Sequence, residues 1–274
     1  MQTYQIVFIT GCSNGIGQHL AEVFYQKGYA VVATDVLIEK LLNQTTHWDT
    51  ARTIVERLNV TDMHNWQSVV DKCVNKFGRI DILINNAGVV IPGFVSELNT
   101  KEIDLQVDVN VKGVLYGSQC AINQMLKQGS GHLINFASLA GIAPIMGLPV
   151  YSATKHAVRA FTLATYQEVR SKGINVSVIC PDLVQTNMLT LQIDYPAAAL
   201  SFSGDKVLVV SDIEKAIFES ALRKKEVEIM IPTSRGWLSK LGNLFPAMAT
   251  SLTQSLSKKG AKNQAGWKKS NGNE

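Results

Sequence analysis

Five short runs of β-branched and apolar residues, at 5–10, 30–34, 80–85, 132–136 and 174–179, recur along the chain, separated by longer stretches with helical spacing. The runs place apolar residues at consecutive positions, as in Ile6-Val-Phe-Ile9 and Ala30-Val-Val-Ala33, rather than only at alternate ones, so both faces of the sheet they form need cover. A strand buried on both sides and followed by a helix is the repeating unit of a parallel sheet wrapped by helices on each face. Weaker runs at 53–58 and 227–231 bring the expected total to seven strands. The helical stretches are 17–27, 62–77, 100–127 and 151–171. The last two carry apolar residues on more than one face, which favours packing in a homodimer or homotetramer.

The first run ends in Thr10-Gly11-Cys12-Ser13-Asn14-Gly15-Ile16-Gly17, and a helical pattern begins at once. Gly11 permits the tight turn, Gly15 lets backbone approach a pyrophosphate, and Gly17 allows close helix packing, with Ser13, Asn14 and Ile16 in the same loop. The helix N-terminus then faces an anion. In this strand-turn-helix context the segment predicts a nucleotide-phosphate site rather than a bare glycine turn. With 46% hydrophobic and 18% charged residues among 274, the chain has material for one large core. The expectation is an α/β protein: a single-domain Rossmann fold with a doubly wound, seven-stranded parallel sheet and helices on both faces.

Tyr151 and Lys155 stand at i, i+4 on a predicted helix, so both side chains leave one face within reach of one ligand. A tyrosine's ordinary pKa of about 10 is too high for efficient proton exchange near neutrality, and a nearby ammonium is expected to lower it. Ser138 ends a strand on the same carboxyl edge, where its hydroxyl can hydrogen-bond a substrate oxygen as charge develops on it. Asn110 places a polar side chain in an otherwise apolar helix.

The glycine spacing is G-x-x-x-G-x-G. Together with Asn85-Asn86-Ala87-Gly88 closing a strand, Asn110, Ser138 and Tyr151-Ser152-Ala153-Thr154-Lys155, in that order, it makes the chain resemble the classical short-chain dehydrogenase/reductase family from about residue 4 to residue 232. The resemblance implies direct hydride transfer between a nicotinamide cofactor and an alcohol or carbonyl compound. In that scheme Tyr151 exchanges the proton, Ser138 holds the substrate oxygen, and Asn110 holds a structural water beside Lys155; a satisfied core amide is the alternative for Asn110. It also implies cofactor contacts from Asn86, Ala87, Gly88, Tyr151 and Lys155, and from Pro181, Val184 and Thr186 around the nicotinamide. Asn59 and Val60 match the adenine-contacting position, with an amide in place of the usual acid. Asp182 stands where the family has glycine, and three roles stay open for it: binding a polar substrate group, excluding anionic substrates, or facing solvent. No metal is implied, and His19, His47, His64, His132 and His156 show no ligand spacing.

Asp35 closes the second strand, where a carboxylate can accept from ribose hydroxyls and repels a 2′-phosphate. Neither Cys12-Ser13-Asn14 nor Val36-Leu37-Ile38 supplies an arginine or lysine to meet such a phosphate, so NAD(H) is expected over NADP(H). The expected pocket walls, Val89, Val90, Ile91, Phe94, Leu139, Ile145, Met146, Met188 and Leu189, are apolar, with Asp182 beside them. They suit a hydrophobic secondary alcohol or ketone. Residues 187–211 are long for a connection and have the pattern of a substrate lid.

The catalytic domain is expected over 1–250. From Arg235 onward the bases Arg235, Lys240, Lys258, Lys259, Lys262, Lys268 and Lys269 face the single acid Glu274. Residues 251–274 therefore read as a basic, flexible, solvated tail rather than a nucleic-acid surface. Trp237, Leu238, Leu241, Leu244, Phe245 and Met248 recur at helical spacing; pocket cover, a neighbouring subunit and a membrane surface are their possible partners, with the membrane ranked last. Four scattered cysteines without a C-x-x-C pair, and no leader or long apolar run, fit a cytoplasmic protein. A non-catalytic NAD-binding sensor or scaffold is the alternative from another functional class, but it has no evident need for Ser138, Tyr151 and Lys155 together.

Overall fold

The computed structural model describes residues 4–271; Glu274 and the side chain of Met248 lie outside the described residues. Seven parallel strands form one sheet: β1 (Ile6–Thr10), β2 (Ala30–Asp35), β3 (Thr53–Arg57), β4 (Ile82–Asn85), β5 (Gly131–Phe136), β6 (Ile174–Pro181) and β7 (Glu228–Ile231). Their order is β3-β2-β1-β4-β5-β6-β7. The period of two along β1 shows why residues 6–9 are all apolar. Val7 and Ile9 pack on one face with Leu20 and Phe24 of α1 (Gly15–Gln26). Ile6 and Phe8 pack on the other with Trp66 and Val69 of α3 (Met63–Phe77), α2 being the short Ile38–Gln44. Because β1 pairs with both β2 and β4, the strand order reverses there, and the carboxyl ends of β1 and β4 open a crevice of the kind that receives ligands.

The predicted helix 100–127 is α4 (Thr100–Val107) and α5 (Gly113–Gln128), joined by a π turn over Asp108–Lys112 that contains Asn110. Such turns often mark functional positions. The helix α6 (Pro149–Val169) begins with Pro149 in its first turn, where a missing N–H costs nothing.

After β6 the chain forms α7 (Asn187–Ile193) and a 3₁₀ segment (Pro196–Ser203), then returns so that Leu208 bridges Val184 in parallel. The base of the predicted lid is thus closed by backbone pairing. The helix α8 (Val210–Lys215) and a π turn (Ala216–Arg223) lead into β7.

The expected flexible tail takes a different form. The chain continues as α9 (Thr233–Leu244) and α10 (Pro246–Asn271), and α10 lies against the 3₁₀ segment. Its residues facing that segment, Gly260, Asn263, Gln264 and Trp267, keep helical spacing, yet only one of them is large and apolar. A polar stripe of this kind is invisible to hydrophobic periodicity. On α9, Trp237, Leu238, Leu241, Leu244 and Phe245 are each more than half exposed. No helix among the described residues is long and apolar enough to cross a membrane.

Candidate active site

The glycine turn lies at the carboxyl end of β1. Gly11 and Gly15 have φ of +74° and +54°, and a Cβ on Gly17 would stand 2.1 Å from the Gly11 carbonyl oxygen, so no larger residue fits there. The loop after β4 is fastened to this turn. Thr10 Oγ1 accepts from the Asn86 and Ala87 amides at 3.1 and 3.0 Å, and Asn86 Nδ2 donates to the Thr10 carbonyl at 2.9 Å. Thr186, past the end of β6, closes the other side: a Cβ on Gly15 would meet its Cγ2 at 3.1 Å. The N-cap Asn14 makes no side-chain cap to α1, which leaves the N-terminal amides of a twelve-residue helix facing this cradle. Positive-φ glycines, free helix amides and closely approached backbone fit the pyrophosphate of a dinucleotide.

Asp35 is held at the end of β2 by two amides, Ser13 N donating to Oδ2 at 2.9 Å and Leu37 N to Oδ1 at 3.0 Å. The fold also brings in a cation from outside residues 12–14 and 36–38: Lys40 Nζ, in the first turn of α2, donates to Asn14 Oδ1. The expected adenine side lies in the turn after β3. Asn59 Oδ1 accepts from Thr61 N at 3.1 Å and Thr61 Oγ1 at 2.9 Å, which orders this turn, and Val60 is buried.

Ser138, Tyr151 and Lys155 converge where β5 and β6 end. Ser138 Oγ donates to the Pro181 carbonyl at 3.2 Å and accepts from Ala140 N at 3.1 Å. The turn that carries it rests on α6, since a Cβ on Gly141 would lie 2.5 Å from the Lys155 carbonyl oxygen. Lys155 Nζ is 5.6 Å from the Tyr151 ring centroid and donates to the Phe136 carbonyl at 2.9 Å. Burial lowers the Lys155 ammonium to about 8, and burial pushes the Tyr151 phenol up to about 12 against a smaller lowering by its hydrogen bond with Ser138. The expected lowering of Tyr151 by Lys155 is therefore not the dominant effect in this state, because desolvation of the phenolate outweighs it.

Asn110 is a satisfied core amide by its side chain. Nδ2 donates to the Val89 carbonyl at 2.8 Å and to Thr154 Oγ1 at 3.1 Å, while Oδ1 accepts from Val89 N at 2.8 Å. It thereby fixes the backbone next to Gly88, where a Cβ would approach Asn110 Oδ1 to 3.2 Å and Lys155 Nζ to 3.5 Å.

The pocket walls sort into three groups. Val90 shares a buried cluster with Tyr151, and Ile145 and Met188 pack against that cluster. Phe94 and Met146 stand at the rim, 44% and 49% exposed, on loops joined by Gly93 N donating to the Gly147 carbonyl at 2.9 Å. Leu139 and Leu189 depart from expectation: Leu139 packs into the core with Val114, Val158 and Val178, and Leu189 packs with Ile193, Phe202 and Trp267. Asp182 does too. Its carboxylate pairs with Arg235 of α9 at 2.6 Å, and Arg235 also donates to Ser203 Oγ at 2.9 Å. Burial raises the Asp182 carboxyl, opposed by the guanidinium. Asp182 lines a cleft with Asp205, Glu228 and Arg235, so of its three open roles the solvent-facing one does not hold.

A reversed parallel sheet with a glycine cradle at the switch point and a buried Tyr/Lys pair beside it defines a dinucleotide-dependent oxidoreductase. The family model for short chain dehydrogenase matches residues 5–194, and the chain belongs to that family. An uncharacterized oxidoreductase of Staphylococcus aureus strain USA300 is 32% identical over 227 residues, 83% of this chain and 95% of that protein. One from Staphylococcus epidermidis RP62A is 33% identical over 184 residues, 67% and 80% of the two chains. Among solved structures, a short chain dehydrogenase/reductase from Burkholderia phymatum in complex with NAD superposes with a TM-score of 0.79 at 25% identity, covering 91% of this chain and 97% of that one. A tyrosine-to-phenylalanine variant of ElxO with NADPH bound gives 0.74 at 27% identity, over 83% and 97%.

Proposed function

We propose that the protein interconverts a hydrophobic secondary alcohol and its ketone with NAD(H), Tyr151 exchanging the proton. The observation that carries this reading is the convergence of Ser138, Tyr151 and Lys155 on one edge of the dinucleotide cradle. Bound in that cradle, the nicotinamide supplies the carbon that takes up or gives the hydride. Ser138 holds the substrate oxygen, and Tyr151 gives it a proton during reduction or removes one during oxidation. Burial favours the phenol form, which suits proton donation to a ketone; Lys155, still mainly cationic at neutral pH, opposes that bias when the phenolate must form. Apolar Val90, Ile145 and Met188 around Tyr151 favour a hydrocarbon-flanked oxygen.

The NAD(H) preference rests on Asp35, whose carboxylate stands at the end of β2 and repels a 2′-phosphate. Exposed Leu105 and Val107 on α4 and Leu126 on α5 support a homodimer or homotetramer, and four buried free thiols suit a reducing cytoplasm. Tyr151→Phe is expected to abolish oxidation of 2-octanol by NAD+ while NADH affinity, read by fluorescence, stays within about twofold. Turnover equal to wild type in that variant overturns the proton role.

A further inference from the structure

The family match ends at residue 194, before the 3₁₀ segment and α10. Yet α10 grips the segment that carries Met188 to Tyr151. A Cβ on Gly260 would lie 1.9 Å from the Ala199 carbonyl oxygen, so the helix and the 3₁₀ backbone meet with no room for a side chain. Asn263 Nδ2 donates to the Phe202 carbonyl at 2.9 Å. Gln264, only 6% exposed, donates from Nε2 to the carbonyls of Gln192 and Tyr195, both at 2.8 Å, holding the last turn of α7 and the residue that leads into the 3₁₀ segment. Trp267 packs with Leu189, Ile193 and Phe202. Ion pairs flank this seam, Lys259 to Asp205 at 2.5 Å and Lys268 to Asp194 at 2.9 Å.

The far side of the same segment reaches the active site. A Cβ on Gly147 would stand 1.8 Å from the Ala197 carbonyl oxygen, and Gly147 belongs to the loop that follows Ser138. Residues 196–199 are therefore held between α10 and the active-site loop. We propose that α10 is a positioning element for substrate specificity, with Gln264 and Gly260 holding α7 and the 3₁₀ segment closed over Tyr151.

The identity of the pocket rests on the proposed alcohol dehydrogenase activity, whereas the packing of α10 does not, and the test separates them. Hydrogen exchange of the full chain is compared among wild type, Gln264→Met, which keeps the length and removes both donated hydrogen bonds, and Gly260→Val. Both variants are expected to exchange at least about tenfold faster in peptides from 187–203, with unchanged exchange in 5–26 and NADH affinity within about twofold. With NAD+ and a series of secondary alcohols from 2-butanol to 2-decanol, KM is expected to rise at least about fivefold with kcat within about twofold, and the preferred chain length to shift. Unchanged exchange in 187–203, an equal rise in 5–26, or an unaltered KM profile overturns the proposal. If wild type oxidises none of these alcohols, the activity reading fails and the exchange pattern alone decides whether α10 holds the segment.

Discussion

The two ends of the site are held in different ways. At the cofactor end, backbone meets backbone: glycines without room for a Cβ, and Thr10 bonded to the amides of the neighbouring loop. At the other end, Gly147 and Gly260 also meet the 3₁₀ backbone closely, but the short helical turns are held in addition from outside by side chains, Gln264, Asn263, Trp267 and Arg235, which pairs with Asp182. On the proposed reading, the rigid cradle fixes the reacting geometry, while a cover held largely by side chains can be re-cut for another substrate without disturbing it.

The largest effect expected from breaking this contrast is at Gly17. Gly17→Val forces the backbone apart at the cradle, and NADH binding by fluorescence titration is expected to weaken at least about 100-fold. Binding unchanged within about twofold means the cradle tolerates a shift and is not rigid.

A second effect lies in the core that both ends share. His132 on β5 is buried against Ser177 at 2.9 Å, and burial lowers its pKa to about 4. The unfolded chain, with an ordinary imidazole near about 6.5, takes up a proton first as pH falls. Stability is therefore complete above about pH 6.5 and declines to about pH 4, by about 3 kcal/mol from this group. Urea melts of wild type and His132→Gln across that range check it: the variant's curve is expected to be flatter, and parallel curves refute the assignment.

Asp182→Asn keeps the shape but leaves Arg235 without its charge partner. Because Arg235 is partly exposed, the expected cost is about 1–2 kcal/mol, seen as a fall in Tm of roughly 3–6 °C. Adding Arg235→Met is expected to restore part of it; strictly additive losses mean the pair is not coupled.

The fold was legible because both its signals are local. Continuous apolar strands announce a sheet covered on two sides, and the glycine turn, Ser138, Tyr151 and Lys155 lie on elements whose spacing can be counted. What escaped was tertiary. Leu139 looks like a pocket wall but points into the core, and Asp182 finds a partner on α9. The polar stripe of α10 carried no hydrophobic period and read as a tail.

The smallest effect concerns Lys40, the cation beside Asn14. Lys40→Ala is expected to weaken NADPH binding about threefold and leave NADH binding unchanged, since only the 2′-phosphate engages an exposed ammonium there. Equal loss for both cofactors assigns Lys40 to the loop's structure.

The central claim, hydride transfer from an alcohol carbon, is tested most directly with secondary alcohols carrying deuterium at the carbinol carbon. Incubated with NAD+ and enzyme, an accepted alcohol is predicted to yield its ketone and NADH with one deuterium on the nicotinamide ring, read by mass spectrometry, and Tyr151→Phe to yield neither. NADH without deuterium, or ketone formed without NADH, contradicts the account.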